Sequence, residues 1–526
     1  MMKFFTGQRQ RLLAFLVSGL ALVVYLATLA PDLTFAYYGT DGGDLISAAW
    51  NLGVPHPPGY PTYTLLLYLF TRLPFRTAAY QANLLSAVFA AGAVYFFYRS
   101  VEALLPEQER SPVIPLAAAG TLAFSTLLWQ QAVIAEVYTL LMFFAALLLW
   151  LVIRWKNLGG DWRLWLAAFI LGLGLGNHLT LIFFVPFALI LLWSERKRWL
   201  RWRIIIPSAG LLLLGLSIYI YLPIAASGKP PVNWGNPVTW QRFWWVVSAK
   251  QYQQFVFGLP PEQIGERVTE WMNILSDQFG WWGLVIVAAG IAAWWLRERR
   301  MLLAGLAWVL PLFVYAFFYD TNDSYIILIP TLLILAILWA EGARLFILIG
   351  QIATNQRRYR SVNRRRNTQW RWWLPLLILL LPLASLTTHW KQVDLSHDRE
   401  APAYITQVLD AMPEDGLVIT RRDSRTFSLW YAQYVEGRRP DLAIVNGNML
   451  AYAWYRIHLR DLYPGIIVPY ATKDNLTVND LVYALIDTNT RHRPVYATDP
   501  ADAWHERFEF IKLDDAPLYR IEAREP

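Results

Sequence analysis

The chain has 526 residues, 56% of them hydrophobic, 15% aromatic and only 16% charged, with a mean hydropathy of +0.32. This composition excludes a soluble protein of such length and points to a polytopic membrane protein. The net charge of +8 needs no nucleic acid, because Lys and Arg gather in alternate loops, and the lack of cysteine removes disulfides, thiolate metal sites and a cysteine nucleophile.

A span needs about 17 to 25 mostly apolar residues, and about eleven segments qualify, near 11–30, 82–98, 113–130, 133–153, 162–177, 179–194, 204–223, 281–296, 301–319, 324–349 and 372–388. The first follows basic residues Lys3 to Arg11, as a signal peptide would. Ala30-Pro-Asp-Leu-Thr34 offers no persuasive cleavage site, so a retained helix is expected. It runs into Gly39-Thr-Asp-Gly-Gly-Asp44, where glycines let backbone approach a ligand. The prolines from Pro55 to Pro61 then fix φ and remove donors, which rules out a membrane helix there. Asp41 and Asp44 are three residues apart and would equally suit the N-cap and N3 positions of a capping box. Thr62 to Phe75 is apolar but about 14 residues long and contains Arg72 and Pro74, so it reads as a re-entrant or interfacial helix.

On this count the loops on the amino-terminal side carry the basic residues, from Lys3, Arg9 and Arg11 through Arg196 to Arg203 and on to the cluster Arg357 to Arg371. The opposite short loops are nearly free of them, so the positive-inside rule makes the N-terminus cytoplasmic. Asp41, Asp44, His56, Glu136, His178, Asp320 and Asp323 then share the outer face. A long outer loop, about 224 to 280, adds the basic residues Lys229, Arg242 and Lys250. Its aromatics Trp234, Trp240, Trp244, Trp245 and Tyr252 suit an interfacial belt. The Arg-rich loop Gln356 to Arg371 suits anionic headgroups of the bilayer.

After His389 the sequence turns mixed and polar, which divides the chain into a membrane domain, 1–388, and an extracytoplasmic α/β domain, 389–526. Leu417 to Thr420 and Asp441 to Asn446 read as strands, Thr426 to Glu436 and Leu450 to Leu462 as helices, in the order of a βαβ unit. Asp423 and Asn446 would stand at the carboxyl ends of the strands, where open α/β sheets place ligands. Plain loop polarity accounts for them at least as well. Asn475-Leu-Thr477 is a formal sequon.

The run Asp41-Gly-Gly-Asp-Leu-Ile-Ser-Ala-Ala followed by Leu52-Gly-Val-Pro-His-Pro-Pro-Gly-Tyr-Pro61 resembles the opening motif of the "domain of unknown function 2723" family. That family is similar to the GT-C superfamily of integral membrane glycosyltransferases and includes a eukaryotic protein O-mannosyltransferase. Ala135-Glu-Val-Tyr138, Gly176-Asn-His178, Phe318-Tyr-Asp320 with Asp323, and in the tail Asp423 to Gln433, Arg439-Pro-Asp441, Val445-Asn446 and Trp454-Tyr455 also resemble family positions. Asp44 departs from the pattern, standing where a Glu is expected.

The resemblance implies a GT-C-like fold and transfer of a sugar from a polyprenyl phosphate or diphosphate to a hydroxyl acceptor, protein or glycan, at the outer face with inversion; Lys229, Arg242 and Lys250 are then the nearest loop cations for the phosphate, and the aromatics of that loop could stack on the sugar. It makes Asp41 the candidate base, with Asp44 as partner or substitute. Tyr60, Glu136, Tyr138, His178, Asp320 and Asp323 join His56 as candidate substrate-binding residues; His56 would steady a phosphate or cap its turn. An acid at membrane depth, such as Glu136, is a functional candidate by default, although a helix start would also favour it. No metal-ligating set is assigned, though two neighbouring acids would suit a divalent cation. The plasma membrane of a prokaryote is the expected location. Rival readings are a transporter or flippase of lipid-linked sugars, with the acids as a proton relay, and a noncatalytic assembly protein.

Overall fold

The computed structural model describes residues 2–106, 111–360, 376–472 and 476–524. The arginines from 361 to 371, the start of the expected span 372–388, and Asn475 of the sequon lie outside them.

Helix α1 (Met2–Ala27) leads to a short loop and α2 (Gly42–Trp50), then α3 (Pro61–Phe70) and α4 (Ala78–Leu104). Next come α5 (Val113–Ala123), α6 (Thr126–Ala132), α7 (Tyr138–Leu158), α8 (Trp162–Leu175) and α9 (Phe184–Leu192). The membrane part continues with α10 (Trp202–Leu216), α11 (Tyr221–Ser227), α12 (Trp240–Val247), α13 (Ile264–Arg297), α14 (Arg299–Phe317), α15 (Thr331–Arg360) and α16 (Leu380–Val393). Among the described residues eight helical segments are long and apolar enough to cross a membrane, and α5 with α6, bent by 62°, makes a ninth. Of the remaining expected spans, 162–177 forms the 14-residue helix α8, and α16 covers the described end of 372–388.

Local chemistry sets several boundaries. Pro61 starts α3 at its first turn, where a missing N–H costs nothing. The Thr77 hydroxyl caps α4 by accepting the Tyr80 N–H. The segment 264–280, expected as loop, is the first half of α13, which turns sharply at Gly280 (φ 63°). Glu266, Arg267 and Glu270 interrupt its apolar run and conceal it from a hydropathy window. Gly290 and Gly342 let α13 and α15 touch through their backbones: a Cβ on either would fall 1.9 Å from a carbonyl oxygen of the other helix.

The tail begins with α17 (Glu400–Ala411) and contains β1 (Leu417–Thr420), α18 (Asp423–Tyr434), β2 (Ala443–Asn446), α19 (Ala453–Leu462), α20 (Val478–Asn489), β3 (Val495–Ala497), β4 (Phe508–Lys512) and β5 (Tyr519–Ala523). The sheet order is β2-β1-β3-β5-β4, with β1 parallel to β2 and β3, and β5 antiparallel to β3 and β4. Every side chain of β1 and β2 is buried, as expected for strands covered on both faces.

The tail is seated on the bundle. Helix α18 packs along α2 so closely that a Cβ on Gly43 would lie 2.3 Å from the Phe427 carbonyl oxygen. Asn51 Nδ2 donates to the Tyr434 carbonyl (3.3 Å), His458 Nε2 sits 2.9 Å from the Pro231 carbonyl oxygen, and Lys229 pairs with Asp461 at 3.0 Å.

Candidate active site

Asp41 and Asp44 take the N-cap and N3 positions of α2, but the capping box does not form: Asp41 makes no side-chain cap bond. Asp44 is wholly buried and turns to other partners. Its Oδ2 accepts the His56 backbone N–H at 2.9 Å and lies 2.8 Å from His56 Nδ1, while its Oδ1 accepts Trp234 Nε1–H at 2.8 Å. The second imidazole nitrogen, Nε2, lies 3.4 Å from Asp41 Oδ2. His56 therefore bridges the two acids, an arrangement that suits an imidazolium with both nitrogens donating. Nδ1 is engaged by Asp44, while Nε2 faces Asp41 across the cleft.

Long-range pairing brings Trp234 to Asp44. Val54 N–H donates to the Val232 carbonyl (2.9 Å) and Trp234 N–H to the Val54 carbonyl (3.0 Å), so the proline turn and the loop before α12 form a two-residue parallel bridge. The Tyr221 hydroxyl fastens the same turn through the Gly53 carbonyl (2.8 Å). On its other side the Trp234 ring meets Phe427 and Trp454 of the tail, at centroid distances of 6.2 and 5.9 Å.

The rings of Tyr60 and Tyr252 stand edge-on to His56 at 5.1 and 6.5 Å. His178 follows behind, 6.4 Å from Tyr60 and 5.5 Å from Tyr138. Its Nδ1 also caps the next turn by accepting the Thr180 N–H. Glu136 is buried between α4 and α7, accepting the Val137 N–H at 3.2 Å, and its charge reaches Asp41 and His56. Asp323 acts on Asp41 and Glu136 in the same way. Asp320 is the residue left aside: its N–H is tied to the Phe255 carbonyl (2.9 Å), and its side chain abuts the loop at Gly258.

Asp41 has a side chain 38% exposed, yet protein surrounds it, as for a group lining a deep cleft. Burial raises its pKa, the His56 charge opposes that, and Asp423, Asp44 and Asp323 add to the rise, leaving the carboxyl at about 6. Burial alone would lower His56, but the Asp41 charge and the bond to Asp44 outweigh it and hold the imidazole up at about 9. His178 has no such acid and is lowered by burial to about 4, which makes it neutral.

Two of the cations expected to meet a phosphate have partners of their own. Lys229 is exposed and paired with the tail, and Lys250 reaches Gln253 at 3.2 Å. Trp240 and Trp244 are exposed, as an interfacial belt requires, whereas Trp234 and Tyr252 belong to the cleft. Sequence reasoning missed Arg267, a buried cation of α13 that donates to the Tyr319 carbonyl (3.3 Å) and to the Ser324 hydroxyl. Its segment reads as loop because Glu266, Arg267 and Glu270 break the apolar run, so the sequence carries no signal for it. Beside it, an apolar cavity of about 230 Å³ opens between α13, α14 and α15, lined by Trp271, Phe313, Phe317, Leu332 and, at the Asp323 side, Tyr325. No group of three or more His, Asp or Glu residues able to hold a metal ion occurs among the described residues.

The helical bundle, its acid-lined cleft and the seated α/β tail define a polytopic membrane protein of the GT-C fold. Two crystal structures of ArnT from Cupriavidus metallidurans share it: the form bound to undecaprenyl phosphate aligns over 96% of this chain and 97% of its own with a TM-score of 0.58 at 11% identity, and the apo form with 0.55. Residues 41–201 match the family described as "Protein O-mannosyl-transferase TMEM260 N-terminal domain", and residues 401–516 match "TMEM260-associated domain 2", together more than half of the chain. In both of these parts the chain is similar to the TMEM260 family. It is 28% identical over 455 residues to "Protein O-mannosyl-transferase TMEM260" of Mus musculus, covering 82% of this chain, and 24% identical over 519 residues to the Dictyostelium discoideum protein of that description, covering 90%. It spans 62% of the length of each of these two relatives.

Proposed function

We propose that the protein is an inverting membrane glycosyltransferase that moves a sugar, mannose by the description of its relatives, from a polyprenyl phosphate to a hydroxyl of a protein acceptor. The observation that carries this reading is the division of labour between two acids on one imidazole. Asp44, saturated by three donors, fixes His56, and His56 holds Asp41 ionised while an oxygen of Asp41 stays open to the cleft. Asp41 then accepts the proton of the acceptor O–H as that oxygen bonds to the anomeric carbon; the C1–O bond to phosphate breaks, and its electron pair leaves with the polyprenyl phosphate. Attack opposite the leaving group inverts C1.

The apolar cavity beside Tyr325 suits an isoprenoid chain, and Arg267 of α13, with Glu270 4.0 Å away, is a buried cation for its phosphate. The undecaprenyl phosphate of the ArnT structure is in keeping with such a donor. Residues 1–388 form the membrane domain in this reading and 389–526 the tail domain, and the alternation of Arg-rich loops supports a cleft and tail outside the cytoplasm. The two curated relatives are eukaryotic, so the reading does not rest on a prokaryotic plasma membrane.

Purified protein in detergent, given polyprenyl phosphate mannose and a Thr-rich peptide, is expected to release polyprenyl phosphate and yield mannosylated peptide. A flippase has no two sides to work between in detergent. Absence of turnover over a broad donor and acceptor panel, with Asp41-dependent donor movement in proteoliposomes, would replace transfer with transport.

A further inference from the structure

We propose that Asp423, carried by the tail, binds the acceptor and sets its hydroxyl against Asp41, so that the α/β domain supplies one wall of the acceptor site. The inference rests on the transfer reading above. Asp423 opens α18, the helix that lies against α2 with no room for a side chain at Gly43. Its charge acts on Asp41, Asp44, His56 and Tyr252, which puts a tail residue on the cleft formed by the first loop. The neighbouring arginines do not neutralise it. Arg421 lies over the Trp504 ring, Arg425 over Tyr404 at 4.2 Å, and Arg422 has Asp499 as its acid at 3.9 Å.

What steadies Asp423 is an amide. Asn446 Nδ2 donates to Thr426 Oγ1 (2.9 Å) and approaches Asp423 Oδ1 at 3.5 Å, while Asn446 Oδ1 accepts the Met449 N–H, which fixes which way the amide faces. One carboxylate oxygen is thereby steered and the other remains for a ligand; Asp423 is solvent-exposed there. Asp44 is buried and engaged by three donors, whereas Asp41 and Asp423 both present exposed carboxylates, as the partly exposed Asp323 does on the bundle side. An acceptor gives one proton to Asp41, and a second donor, a backbone N–H or neighbouring O–H, meets Asp423. The apolar cavity opens on the Tyr325 side, within the bundle, whereas α18 approaches from the tail, so the contact falls to the acceptor rather than the donor.

The test uses the purified full chain with Asp423→Asn and Asp423→Glu, a Thr-rich peptide and polyprenyl phosphate mannose. Loss of a hydrogen bond to a charged group costs about tenfold or more in binding. Asp423→Asn is therefore expected to raise the peptide Kd, measured without donor, and the peptide KM by at least that factor, to leave the donor KM within about twofold, and to be largely rescued by Asp423→Glu. Removing this charge from the set around Asp41 (His56, Asp44, Asp323, Glu136) also lets Asp41 ionise more readily, so the acid limb of the pH profile moves to lower pH. Unchanged peptide binding, an equal rise in donor KM, or a loss that Asp423→Glu does not relieve and that tracks a lower unfolding temperature would overturn the assignment. If no donor supports transfer by the wild type, the transfer reading fails while the peptide Kd still decides the role of Asp423.

Discussion

At the scale of single residues, two aspartates three positions apart have opposite situations, and that difference is testable. Asp41→Asn is expected to lower transfer by about 10²- to 10⁴-fold, the usual range for loss of a general base, with little change in unfolding temperature because its side chain caps nothing. Asp44→Ala should also destabilise the fold, since it leaves the buried Trp234 Nε1–H and the His56 N–H without their acceptor, at about 1–3 kcal/mol for each group. Equal losses of folded protein in both variants would reduce the pair to a helix start. The pH profile has a defined sign: the base works ionised, so activity falls as pH drops through about 6, the value to which Asp41 is raised. It falls again as pH rises through about 9, where His56 gives up its proton and its hold on both acids. A profile flat across either region would remove that group from the mechanism.

At the scale of elements, the contact of α2 with α18 is where the two parts of the chain meet most tightly. A Cβ at residue 43 must displace Phe427 backbone, so Gly43→Ala is expected to cost roughly 1–3 kcal/mol as an overpacked contact and to depress transfer without altering any charged group. Wild-type unfolding temperature and turnover in that variant would show that docking of α18 is dispensable. What the sequence revealed of these elements follows from the range of the interactions that form them. The strands Leu417 to Thr420 and Ala443 to Asn446 and the helices beside them are announced by local apolar patterning. The first half of α13 escaped because Glu266, Arg267 and Glu270 break its hydropathy. In the site, Asp41, Asp44 and His56 share one short motif and were legible together. The bond from Trp234 to Asp44 spans 190 residues, and the approach of Asp423 spans more still, so no period or spacing could announce either. Asp320 looked equivalent to Asp323 in sequence, but a backbone bond to the Phe255 carbonyl turns its loop aside.

At the scale of the whole molecule, the orientation proposed from the Arg-rich loops can be checked because the chain has no cysteine of its own. A single His397→Cys, at an exposed position between α16 and α17, is expected to react with a membrane-impermeant maleimide from the non-cytoplasmic side of intact membranes. Labelling only after the membrane is broken would invert the topology and put the cleft on the side where nucleotide sugars are made. The seating of α18 on α2 also bears on timing during biosynthesis. Asp41 emerges early, but Phe427 and Trp454, against which Trp234 rests, are translated roughly 400 residues later, about 20 to 80 s at ordinary elongation rates of ~5–20 residues per second. Through that interval the nascent bundle sits in the membrane with its acids in place and one wall missing. A chain stalled or cleaved before its tail folds would be inserted with the Trp234 ring lacking Phe427 and Trp454, and with no α18 against Gly43.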